Sequence, residues 1–207
     1  MTAALPLAGF RILSAEQYGA GPYGTMFLAQ MGADVIKIES PKAGDTARAV
    51  GPHYLREGES LYFQTFNLNK RSLTLDLNTP EGQDILARLA ASSHAVVNNL
   101  RGDLPDRLGL TYARFKDANP AVVCAHLSAY GRDNERSRWP GYDYLMQAEA
   151  GWLSLTGDPD APPTRAGLSL VDFMTGTIMT IGLLGARVGG ASGSPVSDSH
   201  PASACIK

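Results

Sequence analysis

The chain has 207 residues, 44% of them hydrophobic and 18% charged, and its 18 Lys and Arg nearly balance its 20 Asp and Glu. A formal charge of −2 offers no field that would attract a nucleic acid or an anionic membrane surface. The two cysteines make neither a disulfide framework nor a metal cluster, which favours a reducing compartment. The sequence has no signal-peptide pattern at its start and no apolar run of about 18 residues, the length of a membrane span. We therefore expect a cytoplasmic protein that binds neither nucleic acid nor membrane.

Strand and helix patterns alternate along the chain. The predicted strands are residues 10–14, 34–38, 73–77, 95–97 and 121–127. The predicted helices are residues 23–31, the segment after the N-cap pair Thr79 and Pro80, and residues 111–118 and 144–150. This alternation predicts an α/β fold with a doubly wound, mostly parallel sheet and flanking helices. Ligands bind such sheets beyond the carboxyl ends of the strands, so residues 15–22, 98–107 and 129–143 are the candidate binding loops.

One carboxylate, Asp172, stands alone in the apolar segment PTRAGLSLVDFMTGTIMTIGLLGAR at residues 163–187. An ionised carboxylate is costly to bury unless it is paired or hydrogen-bonded. Asp172 is therefore either a cap at the start of an apolar helix or a group kept for chemistry, and the segment alone leaves both open. After Arg187 the composition changes to small and turn-forming residues. We expect one domain over residues 1–187 and a disordered tail over residues 188–207.

A glycine motif lies between the first predicted strand and helix. Gly19, Gly21 and Gly24 match the dinucleotide fingerprint G-x-G-x-x-G, and Glu39 follows at the end of the next strand. However, four residues separate the strand from Gly19, and Pro22 removes a backbone donor that a pyrophosphate would need. The sequence therefore favours glycines that permit a tight loop and close helix packing, with an NAD-dependent oxidoreductase as an alternative.

Several long blocks, in order, resemble the family III CoA-transferases, the group of the formyl-CoA and carnitine-CoA transferases. They include FLAQMGADVIKIESPKAGDTAR at residues 27–48, LYFQTFNLNKRSLTLDLNTPEG at 61–82 and TGDPDAPPTRAGLSLVDFMTG at 156–176. The resemblance covers about residues 7–187. It implies the N-terminal part of that family's Rossmann-like large domain, with Asp172 at the position of the family's nucleophile.

The resemblance implies an acyl-CoA:carboxylate CoA-transferase. Asp172 would attack the thioester of an acyl-CoA and form an aspartyl acyl anhydride, and the reaction would continue through an aspartyl-CoA thioester. No metal or permanently bound cofactor is implied, since the CoA thioester is a substrate and a carboxylic acid is the acceptor. The CoA-binding residues that the resemblance implies are Leu75, Asp76, Leu77, Asn78, Asn99, Leu100, Arg101, Arg107, Tyr142 and Asp143.

Cations are of special interest because CoA carries phosphates. The guanidinium of Arg107 suits bidentate binding to a phosphate, although a surface ion pair with Asp103 or Asp106 is the alternative. Further phosphate candidates are Arg48, Lys70 and Arg71, of which Lys70 and Arg71 are equally well interpreted as a solvated pair.

Two positions help to choose among the reactions and substrates known for the family. Racemases of the family carry a histidine where this chain has Tyr142, and the tyrosine pKa near 10 suits proton transfer poorly, so acyl exchange is favoured over racemisation. Gln17 stands where some formyl-CoA transferases have a histidine, which disfavours the formyl and oxalyl substrate pair.

Members of the family are about twice as long and form interlocked homodimers. We therefore expect this chain to be truncated or frame-shifted and to be inactive alone. A non-catalytic CoA-binding or assembly fragment, dependent on a complementary chain, is the second interpretation of the sequence.

Overall fold

The computed structural model describes residues 4–191 and 203–205. Its strands are β1 (Arg11–Ala15), β2 (Asp34–Glu39), β3 (Tyr54–Arg56), β4 (Glu59–Ser60), β5 (Arg71–Thr74), β6 (Ala95–Asn98), β7 (Val123–His126) and β8 (Ser203–Cys205). β3 and β4 form an antiparallel hairpin, and the other six form one parallel sheet in the order β5-β2-β1-β6-β7-β8. The predicted doubly wound, mostly parallel α/β fold is confirmed.

The strand order creates a crevice between β1 and β6. The chain builds outward from β1 to β2 and β5, then returns to the other side of β1 and continues with β6 and β7. Successive crossovers therefore leave β1 and β6 in opposite directions. The space beyond their carboxyl ends is where open α/β sheets bind ligands.

Within residues 4–191 and 203–205, seven helices accompany the sheet. They are α1 (Ala20–Gln30), α2 (Leu61–Phe66), α3 (Pro80–Ala91), α4 (Leu104–Arg107), α5 (Tyr112–Phe115), α6 (Asp143–Glu149) and α7 (Leu170–Ala191), with 3₁₀ turns at Thr46–Ala49 and Trp152–Ser154. α3 begins as its sequence predicts, because the Thr79 hydroxyl accepts a hydrogen bond from the Gly82 N–H at 3.1 Å and Pro80 occupies the first turn.

Both faces of the sheet are buried. Ile12 of β1 and Val97 of β6 pack with Met179 and Leu183 of α7 on one face. On the other face, a second cluster contains Leu13, Ile36 and Val96 of the strands, Leu86 of α3 and Phe115 of α5. Successive strand residues point to opposite faces, so a strand covered on both faces is apolar throughout, which explains the continuous apolar runs in the sequence.

The element boundaries differ from the predicted ones in places. β5 ends at Thr74, whereas the alternating leucines predicted a strand through residue 77. Leu75 and Leu77 are buried in the second cluster, but the chain around them already turns, since Asp76 accepts from the Asn78 N–H at 3.0 Å. Burial of alternate residues therefore continues beyond the end of the sheet.

The C-terminal region differs from the predicted tail where it is described. α7 continues to Ala191, four residues past Arg187, and Ser203–Cys205 pairs with β7. No proline interrupts residues 188–191, so the helix can continue, and strand pairing uses backbone groups that need no apolar period. Disorder therefore does not extend over the whole of residues 188–207, and the rest of that tail lies outside the described residues.

Candidate active site

The loop after β1 is tied to the loop after β6 across the crevice. The Gln17 N–H donates to Asn99 Oδ1 at 2.8 Å, and Asn99 Nδ2 donates back to the Gln17 carbonyl at 2.7 Å. One side chain thus satisfies both backbone groups of a loop residue. Asn99, predicted to contact CoA, fixes the loop from which the site is built.

Tyr18 holds the next part of the loop in an unusual conformation. Its φ of 66° lies in the left-handed region, which is uncommon for a residue with a side chain. The Tyr18 N–H donates to Asp45 Oδ1 at 2.9 Å, and Asp45 is itself buried and paired with Lys37 Nζ at 2.6 Å. This buried acceptor stabilises the turn that brings Gly19 to face α7.

Asp172 lies in the first turn of α7, directly opposite Gly19. A Cβ atom at Gly19 would clash with Asp172 Oδ2, so a side chain at this position would displace the carboxylate from where it lies. Within the described residues, no hydrogen bond reaches the Asp172 carboxylate, although its backbone N–H donates to Asp143 Oδ1 at 3.1 Å. Its oxygens are therefore available to a ligand.

The cap of α7 is Asp143, which comes from α6. Asp143 Oδ1 accepts from the Val171 N–H at 2.8 Å as well as from Asp172, and its Oδ2 accepts from Gln147 Nε2 at 2.5 Å. The interpretation of Asp172 as a helix cap is therefore wrong, because a residue far away in sequence caps the helix. Asp143, predicted to contact CoA, is buried and uses both oxygens within the chain.

The environment of Asp172 makes its carboxylate unusually basic. Burial is the main cause, and the negative charge of Asp143 adds to it, so that the pKa of Asp172 rises to about 6. The group is still ionised at neutral pH. A more basic carboxylate without hydrogen bonds is a better nucleophile than an ordinary surface aspartate.

Aromatic rings form a wall beside Asp172. Tyr18 and Tyr62 have ring centroids 5.1 Å apart, and Tyr23 stacks on Phe173 at 4.5 Å. Phe66 of α2 contacts Tyr62, Tyr23 and Phe173. Burial, together with neighbouring charges that include Asp172, raises the pKa of Tyr62 well above its usual value. Sequence analysis did not predict this wall, because its rings come from three segments that lie far apart in the chain.

A cleft of about 150 Å³ opens beside the loop after β1. Its lining residues are Ala15, Glu16, Gln17, Ile38, Glu39, Ser40, Gly44, Asp45, Leu75, Asp76, Leu77, Asn78, Leu100 and Leu108. Five predicted CoA-binding residues are among them, namely Leu75 to Asn78 and Leu100. The structure thus brings these five together with Gln17. Only Tyr18 separates Gln17 from Gly19, which faces Asp172.

Three other predicted contacts, Arg101, Arg107 and Tyr142, lie at the surface. Arg101 pairs with Asp103 at 2.6 Å, and Arg107, 67% exposed, lies 3.7 Å from the same carboxylate. The surface ion pair considered for Arg107 is therefore present, with Asp103 as its partner. Tyr142 is exposed and stacks on Tyr144 with centroids 5.8 Å apart.

Three further phosphate candidates are already bound within the protein. Arg48 holds Glu39 through two hydrogen bonds of 2.8 Å, and Arg71 pairs with Asp34 at 2.6 Å. Lys70 is buried and donates to Glu16 at 2.9 Å, so its interpretation as part of a solvated pair is wrong.

Lys42 is a rim cation that the sequence did not single out. It is exposed between Ser40 and Gly44 of the cleft. Hydrogen bonds from Asn78, and in smaller part the charge of Lys42, lower the pKa of Asp76.

The glycine motif serves packing. A Cβ at Gly21 would lie 2.9 Å from the Glu16 side chain, and one at Gly24 would lie 2.5 Å from the Gly176 carbonyl of α7. Glu39, the acidic residue of the fingerprint, accepts hydrogen bonds from Arg48, Ser72 and the Asp45 N–H. Burial opposes its ionisation, but these hydrogen bonds, first that from Arg48, lower its pKa to about 2. The interpretation of these glycines as packing positions is confirmed, and the motif gives no support to a dinucleotide site.

The fold and the site define a doubly wound α/β protein with a half-buried carboxylate, free of hydrogen bonds within the described residues, at the topological switch point. Residues 7–193 match the sequence profile of CoA-transferase family III. The chain is 38% identical over 176 residues to the succinate–glutarate CoA-transferase of Agrobacterium fabrum, covering 83% of this chain and 44% of that protein. It is 36% identical over 171 residues to the succinyl-CoA:glutarate CoA-transferase of Mus musculus, covering 83% of this chain and 39% of that protein.

A solved structure agrees with these relatives. The chain superposes on a CaiB/BaiF family protein from Brucella suis with a TM-score of 0.85 and 33% identity, covering 93% of this chain and 52% of that one. This chain belongs to family III of the CoA-transferases. It spans about half the length of the relatives it matches.

Proposed function

We propose that this chain carries the nucleophile of an acyl-CoA:carboxylate CoA-transferase, and that Asp172 is that nucleophile. The observation that carries the proposal is the Asp172 carboxylate itself. It has no hydrogen bond within the described residues, and it faces Gly19 at the topological switch point, in the loop whose Gln17 lines the cleft. The names of the relatives, which transfer CoA between carboxylic acids, support the same reaction class.

The reaction balances through three covalent intermediates, two aspartyl acyl anhydrides and an aspartyl-CoA thioester between them. An Asp172 oxygen forms a bond to the acyl carbonyl carbon, the C–S bond breaks, and CoA leaves as a thiolate, which gives an aspartyl acyl anhydride. The thiolate then attacks the aspartyl carbonyl, so that the first carboxylate leaves and an aspartyl-CoA thioester remains. An acceptor carboxylate attacks this thioester and expels the thiolate, which leaves a second aspartyl anhydride. The thiolate then attacks the carbonyl of the acceptor group, which gives the new acyl-CoA and frees the Asp172 carboxylate.

The cleft supports the placement of CoA. Leu75, Leu77 and Leu100 offer apolar contacts, and Asp76 and Asn78 offer polar ones. Arg107 and Lys42 lie at its rim as exposed cations for phosphate groups. A cytoplasmic location and a homodimer remain predictions from the sequence.

A second candidate function is a non-catalytic CoA-binding or assembly fragment. The coverage of 44% of the Agrobacterium enzyme supports it, because residues outside this span are then needed to complete an acceptor site. In that case the chain binds CoA thioesters without being modified by them.

The two candidates differ in covalent chemistry, which a trapping experiment measures. We expect that incubation with succinyl-CoA, gel filtration and treatment with hydroxylamine convert Asp172 to a hydroxamate, read by peptide mass spectrometry. Labelling should rise with pH with a midpoint near 6, since only the ionised carboxylate attacks.

The matched controls are two aspartate variants. Asp172→Asn should abolish labelling, whereas Asp84→Asn, at an exposed position of α3, should retain it. CoA binding without any labelling of the native chain would favour the second candidate, and labelling at Asp143 instead would overturn the assignment of the nucleophile.

A further inference from the structure

Lys70 is a buried lysine whose ammonium joins three separate segments of the chain. Its side chain is 2% exposed. The ammonium donates to Glu16 Oε1 at 2.9 Å, to the Pro22 carbonyl at 2.8 Å and to Asn67 Oδ1 at 3.3 Å. These three acceptors match the three N–H groups that an ammonium carries. One side chain therefore connects the loop after β1, the first turn of α1 and the C-terminal end of α2.

The turn before β5 directs this side chain into the protein. Asn69 has a φ of 61°, in the left-handed region that asparagine adopts more readily than most residues. The next cation, Arg71, lies at the surface, where it pairs with Asp34 at 2.6 Å. The two neighbouring cations are thus separated, Lys70 inward and Arg71 outward.

The acceptors of Lys70 surround the backbone that faces Asp172. Glu16 lies three residues before Gly19, and Pro22 lies three residues after it. Gly19 is the residue at which a side chain would displace the Asp172 carboxylate. The third acceptor, Asn67, ends α2, whose rings form part of the aromatic wall. Lys70 therefore bonds to both sides of Gly19 and to the wall beside it.

The energetics of the buried pair favour a geometric role. Glu16 and Lys70 both lose their water on folding, so their pairing gives little net stability. Glu16 Oε1 also accepts from the Thr25 hydroxyl at 2.7 Å, whereas its Oε2 has no partner within the described residues. An apolar side chain at position 70 would fill the space without bonding to Pro22 or Asn67. What the lysine adds is the fixed relation of these segments.

We propose that Lys70 is a positioning residue for Asp172, whose ammonium holds Gly19 and the first turn of α1 in the place that the carboxylate faces. Lys70 does not line the cleft, so it acts through the loop and not on CoA. Its effect on acyl transfer rests on the proposed function of Asp172, but its effect on the loop does not.

The protonation of Lys70 connects this role to pH. Burial lowers the pKa of Lys70 to about 8, although the charge of Glu16 partly offsets the effect. The other charged groups around it are Lys37 of β2 and Asp45 of the loop after β2. Above pH 8 the ammonium becomes an amine with two N–H groups, so one of the three hydrogen bonds is lost. The loop should then loosen.

Hydrogen exchange of the full chain at pH 7 tests the role in the loop. We expect Lys70→Met to speed exchange over residues 17–23 by about tenfold, because hydrogen bonds from a charged group are lost, and to leave residues 95–98 of β6 unchanged. The double variant Glu16→Gln with Lys70→Met leaves no unpaired buried charge and should show the same change. Lys116→Met, at an exposed position, is the matched control.

Labelling of Asp172 by succinyl-CoA tests the effect on chemistry. We expect Lys70→Met to slow labelling at pH 7 by about 10- to 100-fold, as a small displacement of a reacting group does. In the native chain the labelling rate should fall again with a midpoint near pH 8. Lys70→Arg keeps its charge at every pH, so it should remove this fall, whereas general structural damage would slow labelling equally at all pH values.

The two measurements fail separately. Unchanged exchange over residues 17–23 in Lys70→Met would overturn the proposal, and so would a faster exchange with a native labelling rate. The same fall above pH 8 in Lys70→Arg as in the native chain would show that the proton of Lys70 does not set the limit. Absence of labelling in the native chain at every pH would overturn the proposed function, while the exchange rates would still decide the role of Lys70 in the loop.

Discussion

The charged residues around the site fall into two groups that behave in opposite ways. The floor consists of Glu16, Lys37, Asp45 and Lys70, which are fully buried and paired at 2.6 Å and 2.9 Å. The rim consists of Lys42, Arg101 and Arg107, which are exposed or held by Asp103 alone.

The difference teaches what each group can do. Buried pairs must recover a large desolvation cost, so they persist only where they fix a geometry, here the loop that faces Asp172. Exposed pairs are worth little, and their cations can leave one carboxylate for another anion. The floor therefore positions the site, and the rim is available to a ligand.

The largest expected effect comes from breaking the floor. Lys37→Met leaves Asp45 buried without its cation, and we expect the free energy of unfolding to fall by about 3–5 kcal/mol. Urea denaturation measures this change. As the control, Arg88→Met removes an exposed pair with Asp84 at 3.9 Å and should change stability by less than about 0.5 kcal/mol. Equal losses in both variants would remove the distinction between the two groups.

A smaller effect is expected at the rim. Arg107→Ala should weaken CoA binding about tenfold, since one charge-assisted phosphate contact is lost, and should leave stability within about 0.5 kcal/mol. Calorimetric titration with CoA measures the first and urea denaturation the second. Arg88→Ala, on the exposed side of α3, is the matched control. A loss of stability with unchanged CoA affinity would show that Arg107 acts only as the partner of Asp103.

A third expected effect concerns Asp172, whose replacement should raise the stability of the chain and not lower it. Its pKa is about 6 in the folded chain and ordinarily 3.8, so the fold disfavours the ionised form. The resulting loss of folding free energy is absent below pH 4, where Asp172 is protonated in both states, and complete above pH 6, where it is ionised in both. Asp172→Asn should therefore stabilise the chain at pH 7.5 by on the order of 1 kcal/mol, a value reduced for partial solvent exposure, with no gain near pH 4. Melting curves across this pH range measure the difference, and equal gains at both pH values would contradict the linkage.

The smallest expected effect separates charge from capping. Asp143→Asn removes the negative charge but keeps an oxygen that accepts from the Val171 and Asp172 N–H groups. The pKa of Asp172 should then fall, and the midpoint of its labelling by succinyl-CoA should move to lower pH. Asp143→Ala also removes the cap and should cost about 1 kcal/mol of stability. An upward shift of the midpoint in Asp143→Asn would contradict the electrostatic role.

The sequence was sufficient for the architecture because its signals are local. Alternating strand and helix patterns predicted the sheet, and the Thr79–Pro80 start of α3 was correct. The resemblance placed Asp172 and five residues of the cleft. Local patterns also explain the error at β5, since the alternation of Leu73, Leu75 and Leu77 reports burial and not hydrogen bonding.

The sequence did not reveal the partners of the charged residues, because those pairs join distant segments. Lys70 reaches Glu16 over 54 positions, and Asp143 reaches the Asp172 N–H over 29. Nothing near Lys70 in the sequence distinguishes a buried lysine from a solvated one. Such pairs form only when the chain has folded, since their partners lie far apart in sequence.

The crossing of α1 and α7 has a consequence for how this site tolerates change. Gly24 faces the Gly176 carbonyl, and Gly176 faces the Ala20 carbonyl, so the two helices touch backbone to backbone. Gly19 lies at the start of α1 and Asp172 lies in the first turn of α7. The distance between them therefore depends on the absence of side chains at Gly24 and Gly176. A single methyl group at either glycine would move Asp172 away from the loop it faces while leaving every polar residue of the site in place.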